Sequence, residues 1–183
     1  MNSKNPGKLK RLQKIASNFA SRPNVKGLSD KEIKVVSYLE LEGKRFFTRM
    51  DISQFFKSGN DLNFYIHKLK KKGRIERLNK EKYYLIPIQA YRGWSEHPFI
   101  VADEIFNGND YYIGGKAAAN YWGLIDQLPT IIDVFSRKKQ GARNILGAAF
   151  KFRRIRKFGK KVKRKIKEHD FWIAPKEESK KWI

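Results

Sequence analysis

Residues 60–86 read NDLNFYIHKLKKKGRIERLNKEKYYLI, and this stretch decides the fold. Its first half predicts a helix, because four apolar residues recur at the spacing of one helical face: Leu62, Tyr65, Ile66 and Leu69. Gly73 ends that pattern directly after three lysines, as expected at a helix C-terminus. Two strand-like runs follow, 74–78 and 82–86, and the short polar segment between them predicts a β-hairpin.

The residues before this stretch predict two more helices. Ser29 and Glu32 have the spacing of a capping box, which starts a helix that stops near Gly43. Thr48 is expected to cap a second helix, 49–56, and Asn60 or Asp61 to cap the third. The order of helix, short strand, two helices and hairpin predicts a winged helix-turn-helix domain over residues 29–87. Residues 1–28 are expected to form a basic N-terminal arm with an amphipathic helix over 8–20.

Residues 88–183 predict a second, small mixed α/β domain with a basic C-terminal part, so the fold class is α+β. Helices are expected over 99–106 and 116–122, and strands over 111–113, 130–135, 148–158 and 171–174. Aromatic and cationic residues alternate at the start of the 148–158 run, which is typical of a strand with one packed face and one wet face.

The charge is strongly positive and unevenly distributed. Lys and Arg number 41 against 18 Asp and Glu, a net charge of +23. Residues 88–136 carry 2 basic and 6 acidic groups, whereas residues 137–183 carry 18 and 4. Clustered positive charge of this kind indicates a polyanion, above all nucleic acid, as the partner.

Several other classes are disfavoured by the residues present. The chain has no Cys, and its three His are far apart in sequence, so we expect neither a disulfide nor a metal site. No phosphate-loop, nucleophile-elbow or metal-nuclease motif occurs, so we expect neither an enzyme nor a cofactor. Because no apolar run approaches the roughly 20 residues of a membrane span, we expect a cytoplasmic protein without a membrane partner.

If the third helix enters a DNA major groove, its non-core flank must carry the contacts. The residues predicted to bind DNA through that helix are Asn63, Phe64, His67, Lys68 and Lys71. Positions at the helix starts and in the turn are predicted to contact phosphates: Thr48, Arg49, Ser58 and Asn60. The hairpin is predicted to add Arg77, Asn79, Lys80 and Lys82. Further phosphate contacts are expected from the second domain at Lys116, Arg137, Lys138, Lys139, Arg143, Lys151 and Arg153.

The second domain resembles a known family. The segments that carry the likeness are Tyr111 to Ala118, Tyr121 to Ile125, Gln127 to Phe135, Phe150 to Ile155 and Ile173 to Glu177, and the stretch from Phe47 to Leu85 also fits. In this order they resemble the AbiEi-type antitoxins. The resemblance implies an autorepressor that binds an inverted-repeat operator, and a homodimer on the DNA is compatible with such a repeat. It also implies a nucleotidyltransferase toxin as functional partner, in a type IV toxin–antitoxin pair.

Two alternatives stay open at this point. The basic segment from Lys157 to Lys167 is also compatible with an RNA-binding module. A winged helix can equally serve as a protein-interaction module, here for an acidic partner.

Overall fold

The computed structural model describes residues 27–87 and 96–183, and over these residues the chain is a mixed α+β protein with two sheets. The predicted helix over 8–20 lies outside the described residues. None of the helices within 27–87 and 96–183 is both long and apolar enough to cross a membrane.

The first unit contains three helices and a small antiparallel sheet. Its elements are α1 (Asp30–Leu41), β1 (Phe46–Thr48), α2 (Arg49–Ile52), a 3-10 turn (Ser53–Phe55), α3 (Gly59–Lys71), β2 (Ile75–Arg77) and β3 (Lys82–Leu85). The strand order is β1-β3-β2, with Phe47 opposite Tyr83 and Glu76 opposite Tyr84. The predicted helix–hairpin succession of residues 60–86 is therefore present.

The helix starts follow the capping chemistry of the sequence, with one correction. The capping box of Ser29 and Glu32 forms as predicted. The third helix, however, is capped by Ser58, whose hydroxyl accepts a hydrogen bond from the Asp61 N–H at 3.2 Å. The prediction of Asn60 or Asp61 as the cap was wrong, because the helix starts two or three residues earlier than predicted, at Gly59. The Asp61 carboxylate binds Lys31 instead, at 2.6 Å.

The second unit is built on a six-stranded sheet. Its elements are α4 (Pro98–Phe106), β4 (Tyr111–Gly114), α5 (Gly115–Tyr121), β5 (Ile131–Ser136), β6 (Gly141–Ile145), β7 (Ala148–Arg154), β8 (Val162–Ile166), β9 (His169–Ile173), α6 (Lys176–Ser179) and a 3-10 turn (Lys180–Trp182). The strand order is β6-β7-β5-β4-β9-β8, with β4–β9 and β5–β7 parallel and the other pairs antiparallel.

Three of the six strands differ from the prediction by more than two residues. The run expected to reach residue 158 ends at Arg154, and strands β6 and β8 were not predicted at all. Both unpredicted strands lie at the edges of the sheet, where charged side chains are tolerated on either face. In β8 the residues between Val162 and Ile166 are all cationic, so the apolar alternation that signals a strand is nearly absent.

The hairpin β2–β3 packs against α4 of the second unit. Leu78 and Tyr84 are buried in the core of the six-stranded sheet rather than in the core of the helices. The Asn79 side chain donates to the Ile105 carbonyl at 3.0 Å, and Lys82 forms an ion pair with Glu104 at 2.5 Å. The hairpin tip is therefore attached to the second unit through Asn79 and Lys82, while Lys80 and Glu81 stay exposed.

Candidate nucleic-acid interface

The outer flank of α3 is uncovered. Leu62, Ile66 and Leu69 are buried against the rest of the first unit. Of the five residues predicted to enter a groove, Lys68 is half-buried. The other four are exposed: Asn63, Phe64, His67 and Lys71. Phe64 keeps 53% of its surface in solvent, an uncommon exposure for such a large apolar ring. The Lys68 ammonium lies 4.5 Å from the centre of that ring. This flank thus offers an amide, an imidazole, an apolar ring and cations together.

The orientation of α3 is fixed at its N-terminal end by Lys31 of α1. The Lys31 ammonium binds the Asp61 carboxylate and lies 4.9 Å from the ring centres of both Phe56 and Tyr65. The hydrogen bond from Lys31 lowers the pKa of Asp61. This contact holds the two helices together on the side away from the exposed flank.

Of the positions predicted to contact phosphates near the helix starts, three are exposed and the fourth, Thr48, is half-buried. Arg49, Ser58 and Asn60 are exposed. The Thr48 hydroxyl is committed to the cap of α2, since it donates to the Asp51 carboxylate at 2.7 Å and accepts a backbone N–H. We therefore correct the prediction for Thr48 and leave it out of the interface.

The Asp51 carboxylate is the centre of that cap. Burial alone would raise the pKa of Asp51, but hydrogen bonds from Lys44 and from the backbone and hydroxyl of Thr48 outweigh it and lower the pKa to about 2. Lys44 contacts it at 2.8 Å. The carboxylate therefore stays ionised and anchors the start of α2.

Only part of the hairpin agrees with its predicted role. Lys80 is exposed, and Arg77 is exposed but donates to the carbonyls of Asn79 and Lys80 at 2.8 and 3.1 Å. The predictions for Asn79 and Lys82 are corrected, because both side chains are bound to the second unit. Sequence reasoning left Asn79 and Lys82 free for DNA and had no signal that α4 would bind their side chains.

The basic residues predicted in the second unit do not form one patch. Lys116, Lys151 and Arg153 line a single cleft of about 460 Å³ together with Asp133 and Trp182. Arg137 and Lys138 are exposed, and Lys138 pairs with Asp110 at 3.2 Å.

Lys139 lies on the other side of the sheet. Its ammonium is 5.6 Å from the centre of the Phe106 ring, and burial, helped by nearby Arg143, lowers the pKa of Lys139. Arg143 is opposite the buried Phe150 in the β6–β7 pair, so these two cations are separated from the cleft by the sheet. They therefore do not share a surface with Lys151 and Arg153, and their phosphate contacts stay a prediction.

Gly114 and Gly115 closely approach residues that lie in or beside the cleft, and sequence reasoning missed this. Gly115 has φ +65°, and a Cβ there would lie 2.5 Å from the Asp133 carboxylate. Asp133 in turn binds the Arg153 guanidinium at 2.7 Å. A Cβ on Gly114 would meet Phe135 and Trp182 below 3 Å. The Gly-Gly pair was visible in the sequence, but its partner Asp133 comes from a different strand.

The residues within 27–87 and 96–183 contain no cluster of three or more His, Asp or Glu that could hold a metal ion.

The described residues form a mixed α+β protein with an exposed cationic flank on α3. Comparison with known proteins shows a solved structure of similar fold. The structure is similar to the crystal structure of the RV2827C protein from Mycobacterium tuberculosis, with a TM-score of 0.53 and 19% sequence identity. The similarity covers 74% of this chain and 48% of that one, so the chain spans about half the length of the solved structure. At this identity the likeness concerns the fold alone. No family model matches the chain, and no curated protein matches it.

Proposed function

We propose that the chain is a sequence-specific, duplex-DNA-binding transcriptional regulator whose first unit is a winged helix-turn-helix. The order of α1, β1, α2, α3, β2 and β3, with β3 central in the sheet, is the order expected of such a domain. In this proposal α3 is the recognition helix and lies in the major groove.

The observation that carries the proposal is the division of α3 into two flanks. Its aliphatic flank is buried, while Asn63, His67 and Lys71 face solvent on the other side. An amide can pair with adenine, a ring nitrogen or an ammonium can reach guanine acceptors, and the exposed Phe64 can contact a thymine methyl. Arg49, Ser58 and Asn60 would hold the backbone at the ends of the helices.

The hairpin has a different role in this proposal from the one expected of a free wing. Because its tip is bound to α4, only Lys80 and Arg77 are left on it to contact the DNA backbone. Base recognition would therefore depend on α3.

Footprinting on the DNA upstream of the gene tests the proposal. We expect protection of a short inverted repeat, and loss of that protection in the double variant Asn63→Ala, His67→Ala. Both residues are exposed, so the variant should keep the circular dichroism spectrum of the wild type. A variant that is folded and still protects the repeat would contradict the proposal.

We further propose that the chain acts as an antitoxin in a type IV pair, on the basis of the family resemblance carried by residues 111–135, 150–155 and 173–177. The partner would be a nucleotidyltransferase toxin encoded beside it. Co-expression tests this part separately: the chain should restore growth to cells that express the toxin. The Asn63→Ala, His67→Ala variant should restore growth equally well if the activity resides in the second unit.

A further inference from the structure

We propose that the second unit has its own ligand, single-stranded nucleic acid, on the face of the six-stranded sheet opposite to α4. We call this the open face. It is distinct from α3, and its proposed ligand has unpaired bases.

The strand register defines the residues of the open face. Tyr112, Phe135 and Arg153 are successive partners across β4, β5 and β7, and Gly114, Asp133 and Lys151 form the next row. Paired residues of neighbouring strands project to the same face. The intervening residues project to the other side, where Phe152 contacts Phe106 of α4. The open face is therefore aromatic and cationic, while the other face is the core.

Four aromatic rings form a continuous strip along the open face. In order they are Trp182, Phe135, Tyr112 and Phe158. The successive ring centres are 5.9, 5.0 and 6.2 Å apart. Three of the four rings are half-buried, and Tyr112 is buried. At the far end, Arg137 and Lys161 lie 5.0 and 4.9 Å from the Phe158 ring centre. The strip thus has partly accessible rings with cations beside them.

The cleft lies at the Trp182 end of this strip and has the size of a small-ligand site. Lys116 and Lys151 have no acidic partner among the described residues. Asp133 binds Arg153 through Nε, which leaves the terminal nitrogens of that guanidinium free to donate to a phosphate. Ile131, 47% exposed, adds an apolar wall beside Trp182. This combination suits one nucleotide, with its phosphate on the cations and its base on the apolar wall.

Charge and ring placement together favour a single strand over a duplex. Residues 137–183 carry 18 basic and 4 acidic groups, a larger excess than the 14 and 8 of residues 29–87, which contain α3. The greater part of the polyanion attraction therefore lies outside the proposed recognition helix. A duplex keeps its bases stacked inside, whereas the bases of a single strand can stack on aromatic side chains while cations track the phosphates.

Fluorescence anisotropy on the full chain tests the proposal with labelled 12-mers of uridine and thymidine, which distinguish RNA from DNA as the source. We expect one or both to bind, and an abasic 12-mer to bind at least tenfold more weakly. Lys116→Ala and Lys151→Ala should each reduce the slope of log Kd against log salt by about 0.7, which corresponds to about fivefold in Kd at 0.1 M salt. The matched control is Lys34→Ala, an exposed lysine of α1, which should leave Kd unchanged.

Three results would overturn the proposal. Binding of the abasic strand as tight as that of the others would leave no role for the rings. A loss of affinity in Lys34→Ala equal to that in Lys151→Ala would indicate diffuse attraction. Lastly, an equal loss of duplex affinity in Lys116→Ala and Lys151→Ala would make the open face an extension of a duplex footprint. The Asn63→Ala, His67→Ala variant should bind the single strands like the wild type.

Discussion

Replacing Asn79 should loosen the contact between the hairpin and the second unit. The Asn79 side-chain oxygen Oδ1 accepts from the backbone N–H groups of Glu81 and Lys82 at 2.9 and 2.8 Å. Its amide nitrogen donates to the Ile105 carbonyl at 3.0 Å. One side chain therefore shapes the turn and also attaches it to α4. Asn79→Ala removes both functions without introducing bulk.

The magnitude follows from these three short hydrogen bonds. At about 1 kcal/mol each they amount to about 3 kcal/mol, and the half-buried setting of Asn79 reduces this to about 2 kcal/mol. With a urea m-value of about 2 kcal/mol/M, the unfolding midpoint should fall by about 1 M. Asn79→Asp keeps the two turn acceptors but sets a carboxylate oxygen against the Ile105 carbonyl, so it should also lower the midpoint.

Urea denaturation followed by circular dichroism and by tryptophan fluorescence measures the effect. The matched control is Asn109→Ala, which removes one side-chain hydrogen bond, to the Asn107 carbonyl at 3.0 Å, at an exposed site. It should cost about 0.5 kcal/mol. Equal midpoints for Asn79→Ala and Asn109→Ala would refute the reasoning that the hairpin is held to the second unit through Asn79.

Two further predictions concern the cleft and the cap of α2. Gly115→Ala should lower the free energy of unfolding by about 3 kcal/mol, because it combines left-handed backbone strain with a clash against Asp133. The control Gly123→Ala has the same φ of +65° but open space around it, so it should cost about 1 kcal/mol. Equal losses in urea denaturation would contradict the close approach of Gly115 to Asp133. The pKa of Asp51 is lowered to about 2, so its contribution to the free energy of unfolding is complete above the ordinary pKa of 3.8 and is lost as the pH falls from there towards 2. Asp51→Asn should remove about 1 kcal/mol of this pH dependence, measured as stability in acid titrations. An unchanged pH profile of stability would contradict this prediction.

Much of the first unit could be predicted from local signals. The capping box at Ser29, the stripe of apolar residues from Leu62 to Leu69 and the turn before Lys82 each depend on residues close together in the chain. Such patterns determine the local backbone whatever surrounds it. The exposed flank of α3 followed from the same periodicity, because residues that are not on the buried stripe must face elsewhere.

The parts that sequence reasoning missed depend on contacts between distant residues. Gly115, Asp133 and Arg153 meet only because β4, β5 and β7 are neighbours, and strand order cannot be read from periodicity. The same holds for Asn79, whose side chain binds α4 across 26 residues of chain. Charged edge strands such as β8 were missed because neither face needs an apolar pattern there.

The central claim is that α3 reads DNA sequence, and the most direct test is the ratio of specific to non-specific affinity. Duplexes selected from a random pool by the wild type would be compared with scrambled duplexes at one salt concentration. If Asn63 and His67 each contribute about 1 kcal/mol of base discrimination, the double alanine variant should lose the ratio by about 30-fold while its affinity for scrambled DNA stays within about twofold. A folded variant with an unchanged ratio would contradict the claim.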